Sequence, residues 1–227
     1  MEQSNNEAMT YLLFLFLEII FLFYLSRTIS QTLSFLPIHV LSLLFFPGVV
    51  VHELSHLLVA SIMFVRVDVI EFRPKVTKKK LKLGSVGIAK TDPVRRAIIG
   101  FSPVGVGVLL ILGIVYFFWS NLGFFRESPL YISIPMTLCI IYILFVISNT
   151  MFSSGKDMEG TLELLMVFLV IFGAFYFAGF RLPPFFIDTL FSKEVLDLIQ
   201  KSSIFLLVPI VIDLVLLGII KLLYKRR

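Results

Sequence analysis

Apolar runs long enough to cross a bilayer recur along this chain, at 11 to 25, 36 to 64, 97 to 119, 130 to 148, 162 to 180 and 203 to 223. A spanning helix needs about 20 such residues, and in hydrocarbon the backbone must satisfy its own hydrogen bonds. The expected fold is therefore an all-α integral membrane protein of about six transmembrane helices. Only 15% of residues are charged and 58% are hydrophobic, against roughly a quarter charged in an average soluble domain. The longest polar stretch runs from 65 to 96, too short to form a separate soluble domain. Residues 1–227 are thus expected to form a single membrane domain.

The first apolar run follows ten residues without Lys or Arg, and no small-residue cleavage site comes after it. It reads as a retained span rather than a secretory signal. The single cysteine, Cys139, allows no internal disulfide.

The net charge of +5 is distributed beside the spans, which argues for a lipid bilayer as partner and against nucleic acid. Residues 65 to 96 hold ten Lys or Arg against three acids, and Lys221, Lys225, Arg226 and Arg227 close the sequence. The positive-inside rule places both segments in the cytoplasm. With six spans both termini lie inside, and the expected location is a prokaryotic cell membrane.

The second run carries Pro37, Pro47 and Gly48, so a kinked or broken helix is expected there. After it, Val65 to Phe72 alternates apolar and polar residues over most of its length, the period of a half-buried strand. Leu81-Lys82-Leu83 and Ser85 to Ala89 offer a partner across the lysine-rich turn at 78 to 80. A small β hairpin or sheet is expected between this span and the next. It serves as a basic connector, or as an edge to which an extended substrate adds a strand.

The chemistry concentrates in His52-Glu53-Leu54-Ser55-His56. Residues i and i+4 of a helix share a face with Cβ atoms about 5–6 Å apart, so His52 and His56 can bind one zinc ion. Glu53 lies about 100° further round, placed to take a proton from a zinc-bound water. With three His and nine Glu in 227 residues, chance gives about 0.002 such matches. Ionisable residues inside a span are costly and mark function by default. If the helix ends near Phe64, the histidines lie roughly 12 and 18 Å in from that end, so water must reach them through a polar cavity.

A catalytic zinc takes a third protein ligand and keeps an open position. His39, 13 residues upstream on a proline-broken segment, is a poor candidate. The polar stretch Ser148 to Gly160 interrupts two apolar runs and supplies Asp157, Glu159 and nearby Glu163. As ligand-bearing backbone it must dip into the membrane as a non-helical segment lining a cavity; otherwise it is a plain cytoplasmic turn.

These elements together resemble the site-2 protease family of intramembrane zinc metalloproteases, from about residue 36 to residue 165. That family carries HExxH on one span, then a β segment, a span opening with Gly-Pro, and an Asn eight residues before a zinc-binding Asp-Gly. Here Gly100-Phe101-Ser102-Pro103 stands at the Gly-Pro position, and Asn149 precedes Asp157 by eight. The resemblance implies a protease-like core at about 36–165, with peripheral spans at 11–25 and within 162–223. It also implies one zinc ion per chain held by His52, His56 and Asp157, and an Asn149 whose amide holds the substrate backbone or the developing oxyanion beside the catalytic Glu53. The family's prolines between Asn and Asp are absent here, Met158 follows the Asp, and Lys156 precedes it.

The small residues Gly100, Ser102, Gly105 and Gly107 around Pro103 read as close helix packing. Glu18 and Asp213 are intramembrane acids assigned to hydrogen bonds within the bundle, or to a water path or gate. The function expected is hydrolysis of peptide bonds in or near the transmembrane segment of a membrane-protein substrate. The alternative is a non-proteolytic membrane metal-binding protein, either an inactive homologue acting as scaffold or a metal transporter. A transporter favours acids and histidines strung across the spans, whereas an inactive homologue is expected to lose Glu53.

Overall fold

The computed structural model describes residues 2–71, 75–77, 80–82, 85–152, 170, 174, 177–179 and 192–224. Among these, six α-helices form in chain order: α1 (Glu2–Thr32), α2 (Ile38–Ile62), α3 (Pro93–Ser120), α4 (Leu122–Glu127), α5 (Leu130–Thr150) and α6 (Lys193–Tyr224). Five are long and apolar enough to cross a membrane, over Leu13–Phe35, Ile38–Ile62, Pro93–Ser120, Leu130–Thr150 and Leu196–Leu222. The chain is a mostly helical membrane protein. The span expected at 162–180 falls almost wholly outside the described residues.

The helices are apolar on nearly all sides, as suits elements buried in one another and in lipid. Leu22 and Ile29 of α1, Ile111 of α3, Val146 of α5 and Leu206 of α6 are buried in one continuous core, with Phe45 and Val49 of α2. Leu43, Leu109 and Tyr131 point outward, where a water-soluble protein would place polar groups.

The break expected in the second apolar run occurs at Pro37 and not at Pro47. A 3-10 turn at Leu33–Phe35 ends before Pro37, which caps α2, a position where the missing N–H costs nothing. Pro47 lies inside a continuous helix. At the other end, Val65 N–H bonds Ala60 O at 2.8 Å and Phe64 N–H bonds Ser61 O at 3.1 Å. This pair of bonds is a Schellman motif, and Phe64 holds the left-handed position with φ 56°, which usually falls to glycine.

Beyond that turn the strands do not pair as the hairpin or sheet expected, which set 65–72 against both 81–83 and 85–89. β1 (Val67–Glu71) pairs antiparallel with β4 (Ser85–Ile88), while β2 (Lys75–Thr77) pairs separately with β3 (Lys80–Lys82). Leu81 and Lys82 therefore face Lys75 and Val76 and not the first strand. Pro74 falls between β1 and β2 in sequence and has no N–H to continue a ladder.

Asp92 caps α3, accepting the Arg95 backbone N–H at 2.9 Å ahead of Pro93 at the first helical position. That hydrogen bond, helped by the Arg95 guanidinium 3.2 Å away, holds the carboxyl below its ordinary value.

The stretch expected to leave helical structure at Ser148 stays helical through Thr150. Each hydroxyl returns to its own helix, Ser148 Oγ donating to Phe145 O at 3.0 Å and Thr150 Oγ1 to Val146 O at 2.8 Å. Polar side chains are thereby satisfied without breaking the backbone ladder.

Candidate metal centre

The middle of α2 turns its polar residues inward. His52, Glu53, Ser55 and His56 are buried, while Leu54 and Leu58 on the opposite side are exposed. The flanking Val49-Val50-Val51 and Leu57-Leu58-Val59 keep this segment in an apolar setting, so the polar face must be met by protein groups. Ser55 satisfies itself, donating to Val51 O at 2.6 Å. One turn apart, the two imidazoles stand with centroids 4.9 Å apart and planes at 86°.

The orientation of His56 is set from α3. Its Nδ1 lies 2.8 Å from the carbonyl oxygen of Ile99, and since a carbonyl only accepts, Nδ1 carries the hydrogen. The lone pair then belongs to Nε2, the ring atom able to ligate a metal. Ile99 O can do this because of Pro103. In a helix the carbonyl of residue i receives the N–H of residue i+4, and Pro103 has none. The freed carbonyl accepts from His56 and from Ser102 Oγ at 2.6 Å, and Ser102 Oγ stands 3.4 Å from Nδ1. A ring N–H donated to a backbone carbonyl is the usual support of a metal-binding histidine.

α5 runs parallel to α2. Tyr142 Oη donates to Leu44 O at 2.8 Å, Phe45 and Phe145 stack with centroids 5.8 Å apart, and Gly48 lies against Val146 and Thr150. A Cβ at Gly48 would fall 2.6 Å from Val146 Cγ1 and 2.8 Å from Val146 O, so only glycine permits this approach. Gly48 already lies against Thr150, so one turn further on His52 stands near the C-terminal end of α5.

Asn149 is held by two close acceptors, with Ser148 Oγ a third at 3.3 Å. Its Nδ2 donates to Phe145 O at 2.8 Å and to Asp213 Oδ1 of α6 at 2.8 Å. Ser148 Oγ lies 3.4 Å from the other Asp213 oxygen, and Asp213 is fully buried. The amide hydrogens expected to hold a substrate carbonyl or an oxyanion are therefore both placed inside the bundle. Asn149 Oδ1 is buried with no hydrogen-bond partner among the described residues.

Asp157, Glu159, Glu163 and Lys156 lie outside the described residues, and among the described ones no three His, Cys, Asp or Glu side chains form a metal-binding group. His39 is exposed on α2, 13 residues and about 20 Å from His52 by helix rise, and does not join the site. Glu18 accepts Ser203 Oγ at 2.9 Å on both carboxylate oxygens, tying α1 to α6 within the bundle.

Two supports escaped the sequence reading. The Ile99 carbonyl and Ser102 were hidden in a run of small residues read as packing, although a proline four residues after Ile99 is itself a signal of an unpaired carbonyl. Packing accounts for Gly107, where a Cβ would fall 2.8 Å from Met151 Cβ, and not for Gly105, which has no neighbour within 4 Å. No signal in the sequence joins Asn149 to Asp213. Comparison of the chain with protein-family models, curated proteins and solved structures finds no match.

Proposed function

We propose that this chain is an intramembrane zinc metalloprotease that hydrolyses peptide bonds within or near transmembrane segments of other membrane proteins. His52 and His56 would hold the ion, one per chain, with Asp157 as third ligand. The observation that carries the reading is the pinned His56. Its Nδ1–H is donated to a carbonyl made available by Pro103, one turn from a buried His52 and beside a buried Glu53. A helix buried only for packing has no use for such a support. The motif order that resembles the site-2 protease family supports the same reading.

Zinc held by these residues would supply a Lewis acid for the scissile carbonyl and would acidify a water. Glu53 takes a proton from the attacking water and delivers it to the leaving amine as the C–N bond breaks. The substrate helix must unwind first, because its peptide groups are otherwise bonded within the helix. The strands after α2 offer an edge to that extended form. The basic residues from 65 to 96 put the nearer mouth of the site on the cytoplasmic side.

The second reading, a metal-binding scaffold without proteolysis, draws support from Asn149, whose amide hydrogens are already engaged. Wild type and Glu53→Gln, reconstituted in liposomes with a panel of single-span substrates, separate the two. Equal zinc in both with cleavage by wild type alone is expected. Zinc in both with identical background products favours the scaffold, and a wild type without metal overturns the metal centre.

A further inference from the structure

Contacts between helices record which way each span runs. A 3-10 turn at Leu33–Phe35 joins α1 to α2, so the two run in opposite directions and meet at one face of the membrane. Along α5, Tyr142 reaches Leu44, Phe145 stacks on Phe45, and Val146 and Thr150 flank Gly48. The numbers rise together, so α5 runs with α2 and against α1. Just past its last turn, Phe152 meets Phe23 of α1 edge to face, with centroids 5.6 Å apart.

α6 touches both of these helices. Ser203 donates to Glu18 of α1, and Asp213 accepts from Asn149 of α5. Glu18 lies five residues before Phe23, about 7.5 Å farther from the α1–α2 turn, and Asn149 lies three before Phe152, about 4.5 Å nearer to it. From Ser203 to Asp213, α6 therefore travels toward that turn, as α1 does. Reversed, α6 would carry Asp213 about 15 Å the other way and leave it more than roughly 20 Å in height from the amide that in fact lies 2.8 Å away. The buried positions agree. Leu22, Leu25, Ile29 and Leu33 share one core with Leu206, Ile210 and Leu217, a set that stays in step only if both helices run one way. Aligned oppositely on Glu18 and Ser203, Leu33 would fall level with position 188, before α6 begins at Lys193.

We infer that α1 and α6 cross the membrane in the same direction, so that the start of α1 and the end of α6 lie on opposite sides of it. The inference does not rest on proteolysis. The spans alternate through α1, α2, α3, α5 and α6, and α5 runs toward the side from which α6 starts. A single further crossing at 162–180, expected from hydrophobic length, would instead return α6 parallel to α5. Residues 65 to 96, between α2 and α3, hold ten Lys or Arg, whereas the opposite side has Arg126, Lys221, Lys225, Arg226 and Arg227. The positive-inside rule makes the first side cytoplasmic. α1 thus starts in the cytoplasm and α6 ends outside it, contrary to the expectation that both termini lie within. The basic residues at and beyond Lys221 are thereby out of reach of any cytoplasmic partner.

The first test uses the full chain in bacterial spheroplasts, with its sole cysteine removed as Cys139→Ser. Single cysteines are placed as Ser4→Cys ahead of the α1 span, as Thr91→Cys ahead of α3, as Glu127→Cys at the end of α4, and as an added residue after Arg227. A membrane-impermeant maleimide is expected to label Glu127→Cys and the added cysteine from outside, and Ser4→Cys and Thr91→Cys only after permeabilisation. An added cysteine labelled on the same side as Ser4→Cys overturns the inference. Thr91→Cys labelled from outside overturns the cytoplasmic assignment.

The second test reads the helix pair itself, in the same background, from disulfides formed with copper phenanthroline in membranes and counted by mass after alkylation of free thiols. Leu25 and Ile210 lie seven residues beyond Glu18 and Ser203 respectively, about two turns on along the same face. Leu25→Cys with Ile210→Cys is therefore expected to lose both thiols. Leu25→Cys with Leu196→Cys, the pair that opposite directions would bring together, is expected to keep them. The reverse result overturns the parallel pair, whatever the chain binds or cleaves.

Discussion

The Nδ1 of His56 and the backbone carbonyl of Ile99 meet at 2.8 Å across the α2–α3 interface, and Pro103, four residues beyond Ile99, is what leaves that carbonyl without its helical donor. A substitution that helps α3 as a helix should therefore harm the proposed metal centre.

Pro103→Ala gives Ile99 O an N–H from its own helix, in competition with His56. Zinc affinity, measured by chelator competition, is expected to fall about 10- to 100-fold, the usual effect of losing a ligand's outer support. Ser102→Ala, which removes the other donor to Ile99 O, should change it less. Unaltered affinity in Pro103→Ala would remove the carbonyl from the site.

Gly48 and Gly105 should respond oppositely to alanine. A Cβ at 48 collides with Val146 and Thr150, whereas one at 105 meets nothing within 4 Å. Gly48→Ala should destabilise by about 1–3 kcal/mol through overpacking, and Gly105→Ala should stabilise by about 0.5–1 kcal/mol through helix preference. Thermal unfolding in detergent, followed by circular dichroism, reads both.

Phe64 sits in the left-handed region at φ 56°, a conformation that costs a side-chain-bearing residue about 1–2 kcal/mol. Phe64→Gly should recover about 1 kcal/mol of that strain, and Phe64→Val should lose stability, since branching at Cβ worsens the clash. Denaturation midpoints that rank valine above glycine would contradict the Schellman assignment.

Ser203 donates to both oxygens of Glu18 at 2.9 Å. The cycle of Glu18→Gln, Ser203→Ala and the double variant should give a coupling of about 0.6 kcal/mol, typical of interhelical hydrogen bonds in membranes. A coupling of zero by unfolding in mixed micelles would make the pair incidental.

Asp92, outside the spans, has its carboxyl held below its ordinary value, first by the Arg95 backbone N–H. A depressed folded value means the ionised cap stabilises fully above the unfolded value of about 3.8, and that the contribution fades as pH falls through the lower folded value. Hydrogen exchange at the first turn of α3 should accelerate over that acid range in wild type. In Asp92→Asn, which caps without titrating, that pH dependence should vanish.

The spans could be read from sequence because hydrophobic length is a local property that packing does not revise. Where pairing decides, local signals fell short. Alternation from Val65 to Phe72 marks faces but not partners, so β2 and β3 came as a separate ladder. Ser148, Asn149 and Thr150 look like a loop by composition, yet they bond carbonyls of their own helix or of its last turns. That His52 and His56 share one buried face was legible because four residues make about one turn. Its supports were not, since Ile99 lies 43 residues from His56 and Asp213 lies 64 from Asn149. Asp157, which the family resemblance implies as a third ligand, falls outside the described residues.

The buried Asp213 also bears on how the protein is made. An aspartate near the centre of a span raises the free energy of entering the bilayer by about 2.5–3.5 kcal/mol on insertion scales, a charge that the leucines, valines and isoleucines around it must outweigh. Its partners, Ser148 and Asn149, belong to α5, which has left the ribosome before α6 is translated. Biogenesis thus has a built-in order, in which an already inserted α5 offers α6 a polar berth that lipid lacks.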